Sequence, residues 1–155
     1  PDDETRIYAA FSLGAQEDVR AVHPLIALAS SDDAGIRKAA VYALGQLKDP
    51  RVQPVLEVAL RDRAPDVRWN AALQLAGAGN NAGLDILGEM LNRQYLETLK
   101  QMSGEHRRDV MVEAIRAVKL LDARSMAPTL RDLREGDPDM QIRQAAIEVL
   151  KAWGE

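Results

Sequence analysis

The chain has 155 residues, a net charge of -4 and no cysteine. That length gives one compact domain or a short array of repeats, and the acidic balance works against a dedicated nucleic-acid binder, which needs positive charge to hold phosphates. The missing thiols exclude disulfides, thiolate metal sites and cysteine nucleophiles. With no signal peptide and no apolar run of about eighteen residues, we expect no membrane insertion and a reducing, cytoplasmic setting. The sequence starts at Pro1 without an initiator methionine, which reads as a processed chain or a domain of a larger protein.

In chain order, the spacing of apolar residues predicts helices over 3–14 and 19–30, 34–47 and 50–61, 66–78 and 81–101, 107–121 and 124–135, and a last one over 139–153. No strand is predicted. The first helix of each pair carries a repeated stripe. Ile36, Ala39, Ala40, Ala43, Leu44 and Leu47 fall at i, i+3, i+4, i+7, i+8 and i+11, one face of a 3.6-residue helix. The same offsets give Val110, Glu113, Ala114, Ala117, Val118 and Leu121, then Ile142, Ala145, Ala146, Val149, Leu150 and Trp153, with a weaker copy at Val67, Ala71, Leu75 and Ala78. The starts at 36, 67, 110 and 142 are 31, 43 and 32 residues apart, so the third repeat holds an insertion, placed at 92–105. Leu13-Gly14 matches Leu44-Gly45 and marks a first, degraded copy.

Second helices begin at Asp18-Val19-Arg20, Asp49-Pro50-Arg51, Asn80-Asn81 and Asp122-Ala123-Arg124, where Asp and Asn are expected to cap the first turn. Pro24, Pro54 and Pro128 follow within about a turn and predict a modest bend. Helices that bury only a stripe of small residues must stack on their neighbours, so the predicted architecture is an all-α solenoid of antiparallel helix pairs, a right-handed superhelix with a quasi-linear core. The final helix lacks a second partner and reads either as a cap, solvated by Gln141, Gln144, Glu148 and Lys151, or as half of a further repeat.

The elements Ile36-Arg37-x-x-Ala40-x-x-Ala43-Leu44-Gly45, Val67-Arg68-x-x-Ala71 and Ile142-Arg143-x-x-Ala146 resemble the HEAT repeats of the bacterial phycobilin-lyase type over nearly the whole chain. The resemblance implies a structural role for Asp33/Arg37, Asp66/Arg68 and Asp139/Arg143, with Met111 departing from the pattern in the fourth repeat. It implies no single function, since such repeats serve scaffolds, lyase subunits, some glycosylases and metal-dependent hydroxylases.

Tested against the residues, the hydroxylase reading fails for lack of histidines, of which there are two, His23 and His106. His106, Asp109 and Glu113 share one helix face, but a polar first turn explains them more simply than a metal. A glycosylase groove would need clustered aromatics and basic residues. Arg107, Arg108, Arg116, Lys119, Arg124, Arg131 and Arg134 do make the fourth repeat basic, yet Glu105, Asp109, Glu113, Asp122 and Asp132 lie among them and favour a solvated, balanced face. Gly77, Gly79 and Gly83 read as a helix end and turn, not a phosphate loop.

These exclusions leave a non-enzymatic scaffold that binds another protein and needs no cofactor, with a lyase-type subunit holding a small prosthetic group in its groove as the alternative. Second helices line the contact face of such solenoids, so Gln53, Glu57 and Arg61, and the matching row Asp85, Glu89 and Asn92, are the expected contact residues. Trp69 and Leu73 put an apolar i, i+4 pair on a face that is otherwise largely polar, where the other copies carry Lys38, Val112 and Gln144, and Tyr42, Arg116 and Glu148. Either the insertion covers it through Tyr95, Leu96, Leu99 and Met102, or part of it meets a partner.

Overall fold

A computed structural model describes residues 3–155, all of them in helices, turns and connecting loops, with no strand among the described residues. The chain forms two compact units, one ending at Ala78 and the other running Gly79–Glu155.

In the first unit α1 (Asp3–Ala15), α3 (Ala34–Gln46) and α5 (Pro65–Gly77) are the first helices of successive repeats, and α2 (Val22–Leu28) and α4 (Val52–Ala59) the second ones. Helix α3 packs on all four others. Of the predicted stripes Ala40, Ala43, Leu44, Leu47, Val67, Ala71 and Leu75 are buried, Ile36 and Ala39 half-buried and Ala78 exposed, and Val41 with Leu25 and Leu56 of the second helices completes the core. The repeated Leu-Gly pair has a steric cause. A Cβ on Gly14 would stand 3.1 Å from Leu25 Cδ1 and 3.4 Å from Ala43 Cβ, and one on Gly45 would fall 2.3 Å from the Gln74 side chain. Successive first helices therefore touch at these glycines, which is why the dipeptide recurs with the repeat.

The second unit holds α6 (Leu84–Leu91), α7 (Arg93–Thr98), α8 (Gly104–Leu120), α9 (Ala127–Gly136) and α10 (Met140–Ala152). Helix α8 packs on α6 and α10, and α10 on α9. Leu87, Met90, Leu96, Met111, Ile115, Leu130, Ile142 and Leu150 are fully buried. The stripe of α10 is thus covered, while Gln141, Gln144, Glu148 and Lys151 are exposed. The end of α10 is held by Arg124, whose guanidinium lies 5.9 Å from the Trp153 ring centre and donates to the Trp153 carbonyl, and by an Arg131–Glu155 ion pair.

Several boundaries differ from the sequence expectation. The helix expected over 81–101 is broken at Asn92, which adopts an extended conformation and accepts from Tyr95 N at 3.0 Å, capping a new helix. Helix α8 starts earlier than expected, at Gly104, because Ser103 caps it by accepting from His106 N. Three of the four second helices open with a 3-10 turn, at Val19–Ala21, Asn81–Gly83 and Arg124–Met126, whereas α4, which holds Pro54, starts directly at Val52. Finally, Asp122 does not cap. It takes a left-handed φ of 47°, as do Glu17 (54°) and Gly79 (74°), and the residue after each, Ala123, Asp18 and Asn80, occupies the capping position. The fourth turn is therefore shifted by one residue from the alignment that its Asp-x-Arg pattern suggests.

Candidate functional site

The inward-facing charges belong to the turns between repeats. Arg37 lies almost fully buried and grips Asp62 with two hydrogen bonds of 2.8 and 2.9 Å, while its Nη1 donates to the carbonyls of Ser31 and Asp32. Arg68 donates to the carbonyls of Asp62 and Arg63, and Arg143 to that of Asp137. Each arginine thus clamps the turn ahead of its own helix. The Asp/Arg pairs expected within a repeat do not form as ion pairs: Asp33 caps α3, Asp66 meets Lys38 at 3.1 Å, and Asp139 meets Arg108 at 2.6 Å. Arg37 also reaches forward, to the aspartate that precedes the next first helix.

Asp137 stands five residues before Ile142, as Asp62 stands five before Val67, and each accepts from the backbone amide two residues on at 2.8 Å. Its arginine should come from position 111, which is Met111. The insertion supplies one instead. Arg93, the first residue of α7, makes two hydrogen bonds of 2.8 Å to an Asp137 carboxylate that is 1% exposed. At the surface, Asp18 and Asp49 each bind the arginine two residues on, and the hydrogen bonds from Arg20 and Arg51 hold their carboxyls down at about 2. Asp62 and Asp139 are lowered as well, by Arg37 and Arg108.

The expected contact rows are divided between the units. Gln53, Glu57 and Arg61 are exposed along α4 and its following turn. Gln53 borders a 620 Å³ depression beside the α3–α4 turn, with Gln46, Lys48 and Gln74. Arg61 lies at a 580 Å³ groove between α2 and α4, lined mainly by Ile26, Ala29, Pro54, Val55 and Val58. In the second unit Asp85 is exposed and Glu89 half-buried, whereas the Asn92 side chain is spent on capping α7. Trp69 is 3% exposed and Leu73 half-buried, so the Trp69 ring itself presents little surface to a partner.

Sequence reasoning missed Val58, which is 75% exposed and lines the α2–α4 groove. The signal was present. Counting nine residues from the capping positions 18, 49, 80 and 123 gives Ala27, Val58, Glu89 and Asp132, so a large apolar residue stands where the second unit carries acids.

Other candidates resolve into ordinary surface. Among the described residues no group of three His, Asp or Glu is arranged to hold a metal ion, and Glu113 pairs with Arg116. The basic residues of the fourth repeat are mostly matched: Arg108 with Asp139, Arg124 with Asp122, Arg131 with Glu155 and Arg134 with Glu135. Gly79 ends α5 in the left-handed region and Asn80 caps the next turn, as expected for a helix end. No helix among the described residues is long and apolar enough to cross a membrane.

Comparison with known proteins agrees with this architecture. A family profile described as HEAT repeats matches residues 1–76 and 58–151. A search of curated protein sequences gave no match. Among solved structures, the complex of CpcE and CpcF of phycocyanin lyase from Nostoc sp. PCC7120 is similar, with a TM-score of 0.72 and 23% identity over 96% of this chain and 59% of that one. The present chain thus spans under two thirds of the length of the protein it matches. Repeated stripes, arginine-clamped turns and paired helices lead to one assignment: the chain belongs to the HEAT-repeat family and has an all-α solenoid fold of the kind found in the phycocyanin lyase complex.

Proposed function

We propose that this protein is a non-catalytic scaffold that binds another protein through the second helices of its first unit. The observation that carries the reading is Val58. A valine left 75% exposed, beside the half-buried Ile26, Ala29 and Val55, keeps apolar surface in water where a repeat needs none for its own packing. The buried charges give no competing site, since Arg37, Arg93, Asp62 and Asp137 are all engaged in holding turns. The Nostoc structure is itself a complex of two proteins, which supports a protein partner.

A second reading rests on the same likeness: a lyase-type subunit that holds a small prosthetic group. Co-expression with a bilin separates the two. A coloured chain with bound pigment favours the subunit reading. A colourless chain that captures one protein from its source lysate, and loses it on Val58→Glu, supports the scaffold.

A further inference from the structure

The α2–α4 groove also carries information about what fills it. Resting on the scaffold reading above, we infer that its occupant is a short amphipathic helix of a partner protein, with apolar side chains on one face and an acidic residue at the end that meets Arg61.

Three observations lead there. The first is that the groove walls are helices whose backbone amides and carbonyls are bonded within α2 and α4, and no strand edge exists among the described residues. An extended segment would bring unpaired backbone groups against an apolar lining of Ile26, Val55 and Val58, whereas a helix arrives with its own satisfied. The second is size. Helix α4 has 8 residues, so the groove is roughly 12 Å long and accepts about two turns, presenting apolar side chains three or four residues apart.

The third is charge. The groove ends at Arg61 and Asp62 on one wall and at Ser30 on the other. Asp62 is neutralised from beneath by both hydrogen bonds of Arg37 and accepts in addition from Ala64 N. Arg61 is exposed, and no ion pair or side-chain hydrogen bond engages it among the described residues. The rim therefore presents a cation without its counter-ion, twelve residues after the cap at Asp49, where the other repeats place Ser30, Asn92 and Glu135. An exposed ion pair is weak, so Arg61 fixes the register and charge preference of the incoming helix while the apolar contact around Val58 carries the affinity.

The test is a phage-displayed library of peptides in a helix-favouring frame, selected on the immobilised full chain. Enriched peptides are expected to carry apolar residues at i and i+3 or i+4 with Asp or Glu beyond them. They should bind Val58→Glu at least about tenfold more weakly, and the same selection on Arg61→Glu should enrich Lys or Arg in place of the acid. Both substituted positions are exposed, and an unchanged melting curve verifies that each variant is folded. No enrichment, proline-rich extended winners, or an acidic preference that persists on Arg61→Glu would overturn the proposal. Peptides that bind Val58→Glu as tightly as the native chain also overturn it, and the scaffold reading then stands or falls separately on whether the native partner is lost from Val58→Glu in lysate capture.

Discussion

Glu17 and Asp122 show how a repeat tolerates a costly residue at a fixed turn. Both adopt the left-handed backbone that Gly79 takes at the matching place, and a side chain there crowds the following carbonyl. Glu17→Gly should raise stability by about 0.5–1 kcal/mol, the relief of strain exceeding the entropy that glycine adds to the unfolded chain. Urea denaturation measures it, and a lowered midpoint would show that the Glu17 side chain is needed in the turn. Asp18 and Asp49 supply a pH prediction. Their folded values of about 2 lie below the ordinary 3.8, so the stabilisation they bring is fully present above about pH 4 and is lost as the pH falls through 2. The stability gap between the native chain and Asp18→Asn/Asp49→Asn should shrink across that window. A gap constant from pH 5 to 2 would contradict the Arg20 and Arg51 pairing.

Among the elements, α7 is the one whose purpose the sequence conceals. The spacing of the stripes located an insertion and the Met111 departure, yet nothing in either said that they are linked, because Arg93 and Asp137 lie 44 residues apart. The link is physical: Asp137 is buried and needs a cation, and Met111 cannot supply one. Arg93→Ala should destabilise the second unit by about 3 kcal/mol, since it strands a buried carboxylate. Adding Met111→Arg to that variant should restore much of the loss by rebuilding the arrangement that Arg37 and Asp62 have in the first unit. Denaturant titration of the single and double variants checks this, and a Met111→Arg that worsens Arg93→Ala would refute the equivalence. The break at Asn92 was legible in principle, since Asn is a capping residue. It was missed because the apolar periodicity continues across it through Leu96 and Leu99.

For the whole molecule, the repeat period made the all-α HEAT architecture readable from residues alone, because every buried stripe recurs at the same offsets. The contact face was less readable. Polar rows such as Gln53, Glu57 and Arg61 occur on any solvated helix, and what singles out a surface is a residue that violates the pattern, as Val58 does where Glu89 and Asp132 stand elsewhere. Trp69 violates it too, but its burial turns the violation into packing. The most direct measurement of the scaffold account is therefore partner capture and unfolding free energy, taken side by side on Val58→Glu and Trp69→Ala. Val58→Glu is expected to lose the partner with stability unchanged, and Trp69→Ala to lose about 3–5 kcal/mol while its folded fraction still binds. A Val58→Glu chain that captures the partner as well as the native one would contradict the claim that this groove is where the protein works.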